Sequence, residues 1–176
     1  VPGNVSALSN VPSTTTLPPV APVTVQNPWL VNDRVADTRS ISTMGSTYVK
    51  SYTPNGVVNP ATDEEKAINI YNNQKRRLYH WADEPPTTTN GDINDPVYNQ
   101  NVFGWCLCGR HASQACTIAN AAGFTPMKVS VPGHWIYQVY YDGAYHFYDT
   151  MTTCYLYNRA APPKVASCAE IAADGT

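Results

Sequence analysis

Asp142-Gly143 separates two strongly β-forming runs, Trp135–Tyr141 and Ala144–Tyr148, and no other feature constrains the fold of this chain as much. Both residues of the dipeptide tolerate positive φ, so the runs fold back on each other through a two-residue turn. That turn sets the register: Tyr141 lies opposite Ala144 and, further along, Ile136 lies opposite Asp149. His134 then sits one diagonal from Asp149 on the same face, with Cα atoms roughly 7–8 Å apart. His146 has the opposite parity and points away. Upstream, Gly109–Ala122 (GRHASQACTIANAA) is rich in Ala, lacks Pro and stops at Gly123, a residue suited to a helix C-terminus. Ala112, Ala115, Cys116, Ala119 and Ala122 recur at helical spacing, giving a small apolar face that packs closely. Met127–Val131 reads as a further strand. A helix followed by an antiparallel sheet predicts an α+β fold.

Cys108 stands immediately before this helix. A thiol there meets unpaired backbone N–H groups and the positive end of the helix dipole, both of which favour thiolate. An imidazole can hold the thiol proton and a carboxylate can fix its tautomer. The order Cys108, His134, Asp149 therefore points to nucleophilic catalysis, with His134 the preferred base.

The stretch FGWCLCGRHASQACTIANAAGF…GHWIYQVYYDGAYHFYD, from Phe103 to Asp149, resembles the core of the transglutaminase-like superfamily. The resemblance implies a papain-like core, with a nucleophile helix packed on an antiparallel sheet. It assigns Cys108 as nucleophile, because Gly123 closes the helix at the family distance from Cys108 rather than Cys106, with His134 as base and Asp149 as its orienting partner. Glu64–His80 resembles the helix that precedes this core in bacterial members. Three positions depart from the family pattern. Cys106 replaces a usual Gly, Gln138 stands where Glu is common, and Trp135 follows His134 directly. The Cys106-x-Cys108 pair admits a resting-state disulfide or a modified thiol. Trp105, Asn101 and Gln138 are the candidates for substrate or oxyanion contacts. The implied chemistry is acyl transfer on protein or peptide amides through a Cys108 thioester, hydrolytic or crosslinking, and it calls for no cofactor.

Only 14% of the 176 residues are charged and the net charge is −2, so the chain lacks the basic footprint of a nucleic-acid binder. No apolar run approaches the roughly 20 residues that span a bilayer. Twelve Tyr and fifteen Pro among abundant Thr, Asn and Ser give an uncharged polar surface, which suggests an extracellular or periplasmic setting. Val1 at the start and Asp174-Gly175-Thr176 at the end read as a processed piece of a longer protein. In that setting Cys154 and Cys168 are candidates for a small disulfide loop. Cys116 falls on the apolar helix face as a core thiol. Zinc ligation by Cys106, Cys108 and a histidine such as His111 or His134 lacks the usual paired spacing, so no metal is expected.

Residues 1–28 carry Pro at 2, 12, 18, 19, 22 and 28 and form an extended arm or linker, a route to self-assembly by strand addition. Residues 29–176 form the folded domain, with its core over about 62–151. Asn4-Val5-Ser6 is a glycosylation sequon. Thr62 and Glu65 form a capping box for a helix with an apolar stripe at Ile68, Tyr71 and Leu78. Lys75, Arg76 and Arg77 read as a solvated C-terminal cap, and His111 as a partly exposed helix histidine. His80 is a further functional candidate. The turn-rich loop Pro85–Pro96 precedes the nucleophile turn and can wall a cleft. The rival reading is a silent structural or adhesive subunit of an extracellular assembly on the same fold.

Overall fold

The computed structural model describes residues 35–81, 83, 85 and 94–174. The 1–28 arm, its sequon and most of the Pro85–Pro96 loop lie outside the described residues. Helices and small sheets mix in an α+β arrangement, with five helices among the described residues. No helix there is long and apolar enough to cross a membrane.

The central element is α4, Cys108–Ala121, one residue earlier at each end than the sequence pattern suggests. Its first elements, α1 (Ile41–Thr47) and the hairpin β1 (Ser51–Thr53) and β2 (Gly56–Val58), escape a periodicity reading because they are short. Ser40 caps α1 through a reciprocal box with Thr43, each side chain bonding the other's backbone N–H at 3.0 Å. Gly45 lets α1 close on α4, since a Cβ there would stand 2.4 Å from the Ala121 carbonyl oxygen.

Helix α2 (Asp63–Lys75) starts at Thr62, whose hydroxyl accepts the Glu65 N–H at 3.1 Å. The expected box is altered: the Glu65 carboxylate takes the N–H of Ala61 rather than that of Thr62. Ala67, Ile70 and Tyr71 form its buried face, whereas Ile68 is half-buried and Leu78 is buried beyond the helix end. Arg76 is the exposed C-cap residue and Arg77 is half-buried, and both side chains also reach earlier chain. Arg77 Nη2 donates to the Ala36 carbonyl at 2.7 Å and Arg76 Nη1 to the Tyr52 carbonyl at 3.3 Å, which ties earlier chain to this helix. Gln74 Nε2 donates to the His111 carbonyl at 2.7 Å and so joins α2 to α4.

Two short parallel strands, β3 (Tyr79–His80) and β4 (Trp105–Cys106), flank α3 (Pro96–Val102) and deliver the chain to α4. Beyond Gly123 run β5 (Thr125–Val131), β6 (His134–Tyr141) and β7 (Ala144–Tyr148), a three-stranded antiparallel sheet in sequence order. Tyr141 pairs with Ala144 and Tyr137 with Tyr148, the register expected from Asp142-Gly143. Tyr137, Val139 and Tyr148 pack with Ala112, Ala115, Ile118 and Ala119 of α4 in one core. A fully buried side chain such as Ile118 contributes about 1.5–3 kcal/mol by leaving water. Beyond β7 an Asp149–Cys154 bridge and a Tyr157–Val165 bridge lead to α5 (Cys168–Asp174).

Candidate active site

Strand β4 alternates its side chains, so Cys106 turns inward and is fully buried beside Gln114, while Cys108 emerges at the start of α4. Leu107 is the N-cap and carries no side-chain cap. Its carbonyl accepts the N–H groups of Arg110 and His111, both at 3.0 Å. The amides of Cys108 and Gly109 come before the first intrahelical donor.

His134 opens β6, and its Nε2 lies 2.7 Å from Asp149 Oδ2. To donate to a carboxylate, a neutral His134 carries its proton on Nε2, which leaves a lone pair on Nδ1. That Nδ1 is buried and has no protein partner. The Asp149 carboxylate is 4% exposed, and its Oδ1 accepts the backbone N–H groups of Met151 at 2.9 Å and Thr152 at 3.1 Å.

Cys108 and His134 line one cavity of about 400 Å³, walled by the Leu107–Gly109 turn, by Ser130, Val131 and Gly133, and by Trp135. Trp135 packs over Gly109, where a Cβ would stand 3.4 Å from its ring. Lys128 Nζ sits 4.4 Å from the same ring centroid and donates to Ser113 Oγ at 3.0 Å, bracketing the indole against α4. A larger cavity of about 660 Å³ lies between residues 156–160 and α5 and is lined by none of these groups. Cys108, His134 and Asp149 are thus brought together. Among the described residues no three His, Cys, Asp or Glu side chains are grouped to hold a metal ion.

The other candidates do not line this cavity. Asn101 Nδ2 donates to the Thr38 carbonyl at 3.0 Å and its Oδ1 accepts the Thr38 hydroxyl, so its amide fastens α3 to the 37–38 segment. Trp105 sits on β4 with its ring 6.4 Å from that of Phe103, and it does not line the Cys108 cavity. Gln138 is buried and its Oε1 accepts the Cys168 N–H at 3.1 Å, which seats α5 on the sheet. Cys154 and Cys168 are free thiols rather than a disulfide. Cys154 is fixed opposite Asp149 by the backbone bridge and Cys168 is held at Gln138, so separate contacts determine their positions. No disulfide joins Cys106 to Cys108 either.

His111 is buried rather than partly exposed, and burial holds it below the usual histidine range. Its Nε2 faces the Tyr79 carbonyl at 3.1 Å and its Nδ1 the Thr150 hydroxyl at 3.4 Å, so it braces the chain behind Asp149. His80 is exposed, with its ring 6.4 Å from that of His111. His146 is buried against the Val165 and Tyr141 carbonyls, away from the site. Cys116 is half-buried against the core, and burial pushes its thiol up to about 11. Lys128 and the Met151-Thr152 turn are the site groups that sequence reasoning misses. Nothing in a lone Lys or a Thr-rich run marks them before the fold brings them in.

No family model and no curated protein matches the chain. A solved structure described as "Crystal structure of a TGase" is similar, with a TM-score of 0.46 and 16% sequence identity. The likeness covers 78% of this chain and 38% of that one, so this chain spans well under half of the length of the protein it resembles. The site stands on its own geometry.

Proposed function

We propose that the chain is a transglutaminase-like cysteine acyl transferase or amide hydrolase acting on protein or peptide amides. One observation carries this reading: His134 Nε2 bonds Asp149, its buried Nδ1 has no protein partner, and His134 lines one cavity with Cys108 at the helix N-terminus.

In the first step the Cys108 Sγ–H proton passes to His134 Nδ1 as sulfur attacks the amide carbonyl carbon. The carbonyl oxygen becomes an oxyanion that accepts hydrogen bonds from the Cys108 and Gly109 amides. Collapse breaks the C–N bond, the leaving amine takes the proton from Nδ1, and a Cys108 thioester remains. Water, or an amine, then attacks the thioester while Nδ1 takes its proton, and the thiol is released. Asp149 stays a carboxylate throughout, where it orients the ring and stabilises the imidazolium.

Iodoacetamide labelling near pH 6 without reductant, read peptide by peptide in a mass spectrometer, tests the site. Selective alkylation of Cys108 is expected, with Cys116 as the slow internal control. A free but inert Cys108 overturns the proposal. Trapping of a thioester with peptide amides is expected in the native chain and lost in Cys108→Ala.

A further inference from the structure

We infer that Thr152 is a positioning residue for the catalytic pair, its hydroxyl locking and covering the Asp149 oxygen that holds His134. The inference rests on the Cys108–His134–Asp149 reading above and adds a residue to it.

Four donors converge on the Asp149 carboxylate. His134 Nε2 and the Thr152 hydroxyl reach Oδ2 at 2.7 and 2.6 Å, and the Met151 and Thr152 amides reach Oδ1. Three of the four come from one tight turn, closed where Asp149 N donates to the Cys154 carbonyl at 2.9 Å and Cys154 N to the Asp149 carbonyl at 3.1 Å. Thr152 is itself exposed while Asp149 is 4% exposed, so the threonine forms the outer cover of a buried carboxylate. Thr153, the next residue, has φ of 60°, in the left-handed region that a β-branched residue avoids. Such strain persists only where surrounding contacts over-determine it. The donors to Asp149 are those contacts. Cys154 Sγ lies 3.1 Å from the Thr152 hydroxyl. With its proton given to the carboxylate, that hydroxyl accepts from the thiol, which completes a chain from thiol to hydroxyl to carboxylate to imidazole.

The chemistry requires this. When the Cys108 proton reaches His134 Nδ1, the imidazolium is stabilised only while Oδ2 stays in line with Nε2. The Thr152 hydroxyl fixes that oxygen from outside and keeps competing water off it.

The test uses the full chain, with iodoacetamide as probe and the rate of Cys108 alkylation followed from pH 5 to 9. Thr152→Val keeps the shape and removes the donor, so alkylation at pH 6 is expected to fall roughly tenfold, the order of one hydrogen bond to a charged group. The whole profile is expected to move to higher pH. Thr152→Ser is expected to restore both rate and profile. A native profile in Thr152→Val overturns the inference, and should that variant fail to fold, Thr152→Ala decides by the same criterion. A Thr152→Ser profile as impaired as that of Thr152→Val also overturns it, because bulk rather than the hydroxyl would then matter. Asp149→Asn and His134→Gln separate the two claims. If they too leave the profile native, the catalytic reading fails; if they shift it and Thr152→Val does not, only the role of Thr152 fails.

Discussion

Two tight turns stand at opposite ends of β7, one of them Asp142-Gly143 and the other the Asp149–Cys154 turn. The first places Asp142 at φ 51° and Gly143 at φ 81°, angles that Asp and Gly adopt readily. It is exposed, and its one side-chain tie is an ion pair from Asp142 to Lys164 at 2.8 Å between two half-exposed groups, worth little in water. The second puts a threonine at φ 60° and wraps its amides and a hydroxyl around a buried carboxylate. One turn is made of residues that favour its shape and sets register. The other works against its own residues and holds the buried Asp149 carboxylate in place. Where local preference and observed conformation disagree, the compensating contacts show what the segment is for.

Exchanging the carboxylates breaks this comparison most sharply. Asp149→Asn is expected to slow thioester formation at Cys108 by at least roughly 10²-fold, because an amide cannot both accept from Nε2–H and stabilise the imidazolium. Asp142→Asn is expected to leave that rate unchanged, and single-turnover kinetics on the two variants checks both. Equal losses would show that the turns do not differ in kind.

Stability should respond with opposite signs. Gly143→Val places a β-branched residue in the left-handed region and is expected to cost about 2 kcal/mol, seen as a lower Tm. Thr153→Asn puts a residue that tolerates this region in place of one that does not, and is expected to gain up to about 1 kcal/mol.

The smallest expected effect is on pH dependence, through His111 behind the second turn. Burial holds His111 below its usual value of 6.5. Below about pH 6.5 the unfolded chain therefore binds a proton that the folded chain resists. Its contribution to stability is complete above that pH and is lost as the pH falls. Melting curves from pH 7.5 down to 5 are expected to show a steeper loss in the native chain than in His111→Gln.

Several particulars were legible early. The Asp142-Gly143 turn, the α4 helix with its stop at Gly123, and the Cys108, His134, Asp149 order all follow from local rules. Turn chemistry fixes parity, and parity decides which histidine can meet Asp149. Asn101 and Trp105 are suggested by nearness in sequence and Gln138 by its family position, and neither says where an amide or ring is used. The Asn101 and Gln138 amides instead bond Thr38 and Cys168. Arg76 and Arg77 fit a helix-end cap by position, yet their long side chains reach carbonyls that only the folded chain brings near.

By itself, then, the sequence determined the hairpin register and the helix that Cys108 opens, because each depends on φ preferences and periodicities within about a dozen residues. The tertiary structure alone decided that Cys106 points inward while Cys108 meets the cavity, that His111 is buried, that Lys128 brackets Trp135, and that Thr152 closes over Asp149. Those outcomes depend on which surfaces exclude water and which polar groups must then find partners, and burial of that kind is a property of the packed chain rather than of any segment.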